Sequence, residues 1–247
     1  GSLTATGSGA SAGIGSVWNT GKVSNSGAGT IEITGGDITA IGASDGAGIG
    51  SGTWATGETN ITISGTAKIN ARTDQGGAGI GSGSDATGTT TVTIKGGTIE
   101  NAQGGSGGAG IGGGANSSQD TTINISGGTI EKATGGVGGG AGIGSGSNGD
   151  NRKGAVTINI TGGTITATGN DKAPAIGNGS VSISNADAPL DITATAPVAN
   201  KAIQSSDGKT LDDVIRLKEN DTLGLVTLVE SGTYSISRLF HNGVYAA

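Results

Sequence analysis

Apolar residues recur along this chain at two nested spacings. The short one is strict alternation with polar residues: Thr30-Ile31-Glu32-Ile33-Thr34, Asn60-Ile61-Thr62-Ile63-Ser64, Thr91-Val92-Thr93-Ile94-Lys95, Thr122-Ile123-Asn124-Ile125-Ser126 and Thr157-Ile158-Asn159-Ile160-Thr161. A period of two built on β-branched residues predicts a half-buried strand. The long spacing is that of a glycine-flanked phrase centred on Ile14, Ile49, Ile80, Ile111, Ile143 and, in weaker form, Ile176, with steps of 35, 31, 31, 32 and 33 residues. A Gly or Gly-Gly step follows each alternating run, and a third apolar stretch then carries Ile38, Ile69, Ile99, Ile130 or Ile165. Glycine suits the sharp corners between such runs because it reaches positive φ without a Cβ clash.

Three short strands and their glycine corners in about 31 residues describe one coil of a solenoid. The expected fold is all-β: a right-handed parallel β-helix of about six coils, with three ladders of Ile inside. Right-handedness follows from the preference of parallel crossover connections. One coil cannot bury enough apolar surface to offset the entropy of ordering itself, so each coil needs its neighbours. Helix is excluded over this region because each helix-interior glycine costs about 1 kcal/mol, and the chain holds 54 glycines. Disorder is excluded by the regular Ile ladder, which low-complexity linkers lack.

Two domains are expected, residues 1–183 as the repeats and 184–247 as a C-terminal cap. Past Ile183 the paired glycines disappear, and Thr210–Asn220 places Leu211, Val214, Ile215 and Leu217 on one face of a predicted helix, with Thr210 as its N-cap. Leu223–Val229 and Tyr234–Leu239 read as strands. A cap answers the aggregation risk of an open strand edge. At the other end, Leu3-Thr4-Ala5-Thr6-Gly7 matches Ile165-Thr166-Ala167-Thr168-Gly169. The chain is therefore expected to open in mid-coil behind a cloning remnant, Gly1-Ser2, with further coils or a cap preceding it in the full protein.

Composition narrows the function classes. The formal net charge is −6 and the 13 Lys and Arg are scattered singly, so no basic stripe exists for phosphate contacts and nucleic acid is not an expected partner. Zero Cys excludes disulfides, thiol catalysis and Cys-ligated zinc. No apolar run reaches the 18 residues of a membrane span. An outer surface of Thr, Ser and Asn with only 13% charged residues suits a protein outside a cell.

Motifs that carry chemistry are sparse. Gly108-Ala109-Gly110-Ile111-Gly112-Gly113 has the spacing of a dinucleotide loop, but a strand follows it where the motif requires a helix. Gly208-Lys209-Thr210 resembles the end of a phosphate loop with Ile203 at the upstream glycine position. The lone His241 reads as a turn residue. Glu100 and Glu131 fall at equivalent third-strand positions about one strand spacing (~4.8 Å) apart, and read as a solvated pair rather than as acid and base of a glycosidase. Asp45 and Asp74 precede successive glycine phrases at unequal distances, as turn residues rather than calcium ligands. No catalytic residue, metal site or cofactor is expected.

Trp18 and Trp54 stand out, because only five aromatics exist and these two alone lie in the repeats. Later coils carry Asp85, Asn116 and Asn148 at that corner, so the repeat itself does not require Trp. Two indoles on adjacent coils form an exterior pair against which a sugar ring packs, with Asn19 and Glu58 as nearby polar groups.

The alternation of G-G-T-I-T-A with G-A-G-I-G-S-G, over roughly residues 3–183, resembles long arrays in secreted and cell-surface proteins of gut-associated bacteria, commonly labelled carbohydrate-binding or adhesin-like. The resemblance implies attachment to glycans or a host surface and carries over no binding residue. The expected function is a non-enzymatic extracellular or cell-surface repeat protein, an adhesin-like stalk with carbohydrate binding. The alternatives are a polysaccharide-active enzyme on the same scaffold and an ice-binding solenoid, whose flat Thr ladder is here interrupted by Glu32 and Lys95.

Overall fold

The computed structural model describes residues 1–19, 26–147, 154–170, 172–184, 190–196 and 202–207 in full, and the backbone of the strands Ile215–Arg216, Gly224–Glu230, Tyr234–His241 and Val244–Ala246. Its repeating unit is a coil of three parallel strands, stacked about six times. The shortest strand of each coil is the Ile-Gly pair of the glycine phrase. Ile14, Ile49, Ile80, Ile111, Ile143 and Ile176 are register partners in sequence, each with its following glycine. The alternating runs form a second parallel face, Gly29–Ile33, Thr59–Ile63, Thr90–Ile94, Thr121–Ile125 and Val156–Ile160, continued by the end of the nine-residue strand Ile176–Ser184. The third face stacks Ser2–Thr6, Asp37–Ile41, Lys68–Arg72, Thr98–Gln103, Thr129–Thr134 and Gly163–Thr168. Leu3 and Ala5 pair with Ile38 and Ala40, so the first strand sits on the third-strand face, as its sequence match to Ile165–Thr168 anticipates.

Alternation works as expected. On Thr121–Ile125, Thr121, Ile123 and Ile125 are buried while Thr122 and Asn124 are half-buried on the outer face. All three Ile ladders are inside: Ile80, Ile94 and Ile99 are each fully buried, as are their partners Ile111, Ile125 and Ile130. Ala40, Ala71, Ala102, Ala133 and Ala167 form a further interior file. The glycine of each phrase is dictated by close approach. Gly81 has φ +142, and a Cβ there would fall 1.9 Å from the carbonyl oxygen of Gly112 on the next coil.

Parallel pairing continues into the region read as a cap: Leu190–Ala196 lies parallel to Gly163–Thr168 and then to Gly224–Glu230, while Ile203–Ser205 pairs with the start of Ile176–Ser184. One feature there departs from the sequence reading. Within the expected helix Thr210–Asn220, the two described residues Ile215 and Arg216 form a strand instead, opposite Ile183 and Ser184. The remaining residues of that segment lie outside the described ones. Its Leu, Val and Ile spacing satisfies a helical face, but an unpaired edge offers Ile215 backbone hydrogen bonds that override the local preference. Gly224–Glu230 and Tyr234–His241, which overlap the strands expected at Leu223–Val229 and Tyr234–Leu239, pair antiparallel, and Val244–Ala246, a strand the sequence reading did not include, pairs antiparallel with the second of them. His241 closes its strand opposite Val244, before the Asn242-Gly243 segment.

Candidate functional site

Between the Ile-Gly strand and the alternating strand, each of the first five coils throws out a corner lobe, and the two indoles stand on the first two lobes. The lobes stack by backbone bonds: Asn19 N–H donates to Thr53 O at 3.0 Å, Trp54 N–H to Ser84 O at 3.0 Å, Asp85 N–H to Ala115 O at 2.9 Å and Asn116 N–H to Ser147 O at 2.8 Å. Asn19, Trp54, Asp85 and Asn116 are therefore register mates, and Trp18 is offset by one residue beside Thr53. The offset brings the indoles together across the lobes rather than one above the other. Their ring centroids are 5.9 Å apart with planes tilted by 46°. Trp18 is 42% and Trp54 48% exposed, and the neighbouring Val17 is 69% exposed.

Backbone geometry makes the site unusual. Trp54 has φ +56, the left-handed region, as do Asp85 and Asn116 at +55. Asn and Asp are at home there, since a short polar side chain bonds locally, whereas a bulky ring is not. Holding a non-glycine residue so costs on the order of 1–3 kcal/mol. Trp54 recovers little of that by burial, because about half of it faces solvent. The packing it does gain is the ring contact with Trp18. The offset from Ile49 to Trp54, shared by Asp85 and Asn116 in their coils, is the sequence signal from which this strain is readable.

The two polar residues expected beside the rings fare differently. Asn19 is only 3% exposed and belongs to the stacked interior of the lobe, so it is not presented to a surface ligand. As the register mate of Trp54 it faces a coil on one side, a burial that sequence distance from Trp18 does not reveal. Glu58 is exposed at the start of Thr59–Ile63, where its carbonyl accepts from Gly29 N–H at 3.0 Å. Its carboxylate makes no hydrogen bond or ion pair among the described residues.

The carboxylate candidates show no built machinery. Glu100 and Glu131 are exposed and occupy a one-residue bulge on adjacent coils: Ile99 to Ala102 opposes Ile69 to Ala71, and Ile130 to Ala133 opposes Ile165 to Ala167. Glu100 shares a shallow cleft of about 260 Å³ with Asp37, Lys68 and Asn70, so charges of both signs face it. Asp45 Oδ1 accepts from Gly76 N–H at 2.9 Å and thereby fastens the next coil. Asp74 pairs with Arg72 at 3.6 Å on the surface, with the two side chains 84% and 42% exposed, a contact of little energetic weight. Among the described residues, no three His, Asp or Glu side chains converge in a way that could hold a metal ion.

Five stretches of the chain, residues 31–53, 61–84, 92–115, 123–147 and 158–180, match the family model described as a beta helix repeat. Each stretch runs from an alternating strand through the third strand to the glycine phrase, which is one coil of the stack. No curated protein and no solved structure matches the chain. No described helix is long and apolar enough to cross a membrane.

Proposed function

Since this chain is a beta helix repeat protein, we propose that it serves as a non-enzymatic spacer outside the cell, adhesin-like in role, which contacts glycans through the Trp18–Trp54 corner. The observation that carries this reading is the exposed indole pair, 5.9 Å between centroids, with Trp54 held at φ +56. Aromatic faces offer the apolar surface against which the C–H face of a sugar ring packs, and the surrounding hydroxyls and backbone amides offer its hydroxyls partners. The outer surface of Thr, Ser and Asn supports the extracellular assignment. The stacked coils supply stiffness and reach, and the corner supplies the contact.

Affinity electrophoresis in gels containing soluble xylan, glucomannan or mixed-linkage glucan tests this directly. Retardation by at least one polymer is expected, reduced about tenfold in affinity by Trp18→Ala and by Trp54→Ala, with melting temperatures close to the parent. If both variants migrate as the parent does, the corner is not a glycan platform and the chain acts as a spacer alone.

A further inference from the structure

The sixth coil lacks the corner lobe that the others carry. Ile143 and Thr157 pair with Ile176 and Ser180, yet fourteen residues separate the first two and only four the second. Ile176–Ser184 therefore runs as one strand across both faces, joining them without an excursion. The flank of the fifth lobe is left standing over this strand as a ledge. Beneath it opens a groove of about 610 Å³ lined by residues that include Ser147, Thr157, Asn178, Ser180, Gln204 and Ser206.

None of its described lining residues is ionisable, and hydroxyls and carboxamides that both donate and accept stand there beside the apolar Ala155 and Val156. Asn178 is exposed at φ +57, and neither its amide nor that of Gln204 is engaged with another described residue. The Ser180 hydroxyl is fixed from behind, donating to Asp207 Oδ2 at 3.1 Å, and Ser205 donates to the other carboxylate oxygen while accepting from Val181 N–H at 3.1 Å. The volume lies within the roughly 300–1,000 Å³ usual for small-ligand clefts. A neutral ligand dense in hydroxyls matches such a lining. Among the described residues an anionic one finds no cation there, meets Asp207 beside Ser180, and approaches a chain of net charge −6.

We propose that the ledge over the sixth coil is a binding groove for a short stretch of neutral oligosaccharide. It is separate from the indole corner, which lies on the first two coils, and does not depend on it. Asn178→Gly removes the amide while keeping a residue suited to the left-handed backbone, and Gln204→Ala removes the second amide; both positions are exposed, so the fold is retained. Cellohexaose, xylohexaose, mannohexaose and maltohexaose, with oligogalacturonate as the anionic control, are titrated into the parent, the Asn178→Gly/Gln204→Ala variant and the Trp18→Ala/Trp54→Ala variant. Binding is followed by the amide resonances of Gly179 and Ser180.

The expected result is that at least one neutral hexaose shifts these resonances, about tenfold more weakly in the amide variant and undiminished in the indole variant, while oligogalacturonate leaves them in place. Failure of all four neutral probes to shift them overturns the proposal. So does binding that survives the amide variant or is lost only with the indoles, the latter supporting the corner instead. A crystal structure in which residues 208–214 of the chain itself fill the groove overturns it as well.

Discussion

Trp54 occupies a backbone conformation that its own register mates fill with Asp85 and Asn116. Trp54→Asn should therefore relieve strain worth about 1–3 kcal/mol while losing a ring contact worth about 0.5–1.5 kcal/mol. An unchanged or raised melting temperature is expected, and a loss above about 2 kcal/mol would make the indole a structural residue. A second single-residue opportunity lies in the serine file two positions after the central Ile. Ser16, Ser51 and Ser82 Oγ accept from the N–H of Gly52, Gly83 and Gly114 at 3.0, 3.1 and 2.9 Å. Gly113 breaks the file, and a Cβ there would stand 3.3 Å from Gly146 N. Gly113→Ser should restore the rung and add about 0.5–1.5 kcal/mol, read as a higher denaturant midpoint. The two indoles were legible in the sequence because the repeat does not demand them. The burial of Asn19 was not, because it arises from the coil stacked against it.

At the level of the strand, in-or-out alternation decides what a substitution does. Ile125 is 1% exposed between Ile94 and Ile160, so Ile125→Asp puts a carboxylate without a partner into a dry ladder and should prevent folding of the array. Its neighbour Asn124 faces outward and accepts from Asn159 Nδ2 at 3.0 Å. Asn124→Ser should cost about 1 kcal/mol or less. Circular dichroism melts of the two variants compare them directly, and equal melting temperatures would refute the assignment of faces. Gly81→Ala drives a methyl into the Gly112 carbonyl at a φ that side chains rarely adopt, and a loss of at least about 2 kcal/mol is expected from the same melts. These ladders were readable because each repeats a β-branched residue at a fixed period. The strand at Ile215–Arg216 was not, since a segment rich in Asp, Lys and Leu satisfies helical spacing until an open sheet edge claims it.

For the molecule as a whole, the backbone hydrogen bonds that join one coil to the next run along the solenoid axis, as from Ile49 N–H to Gly79 O and from Ile80 N–H to Gly110 O, each 3.0 Å. Tension applied along that axis loads the coils in series, so that one rung at a time carries the break rather than all rungs sharing it in shear. A released coil of about 31 residues exchanges one strand spacing for its extended contour, a gain of about 100 Å. Pulled from its two ends, the protein should lengthen in steps of that size, each dissipating work before the next coil opens. A single-molecule force trace of the array should therefore be a sawtooth of low, evenly spaced peaks. The period first seen as a spacing of Ile in the sequence becomes the stroke length of an extensible array.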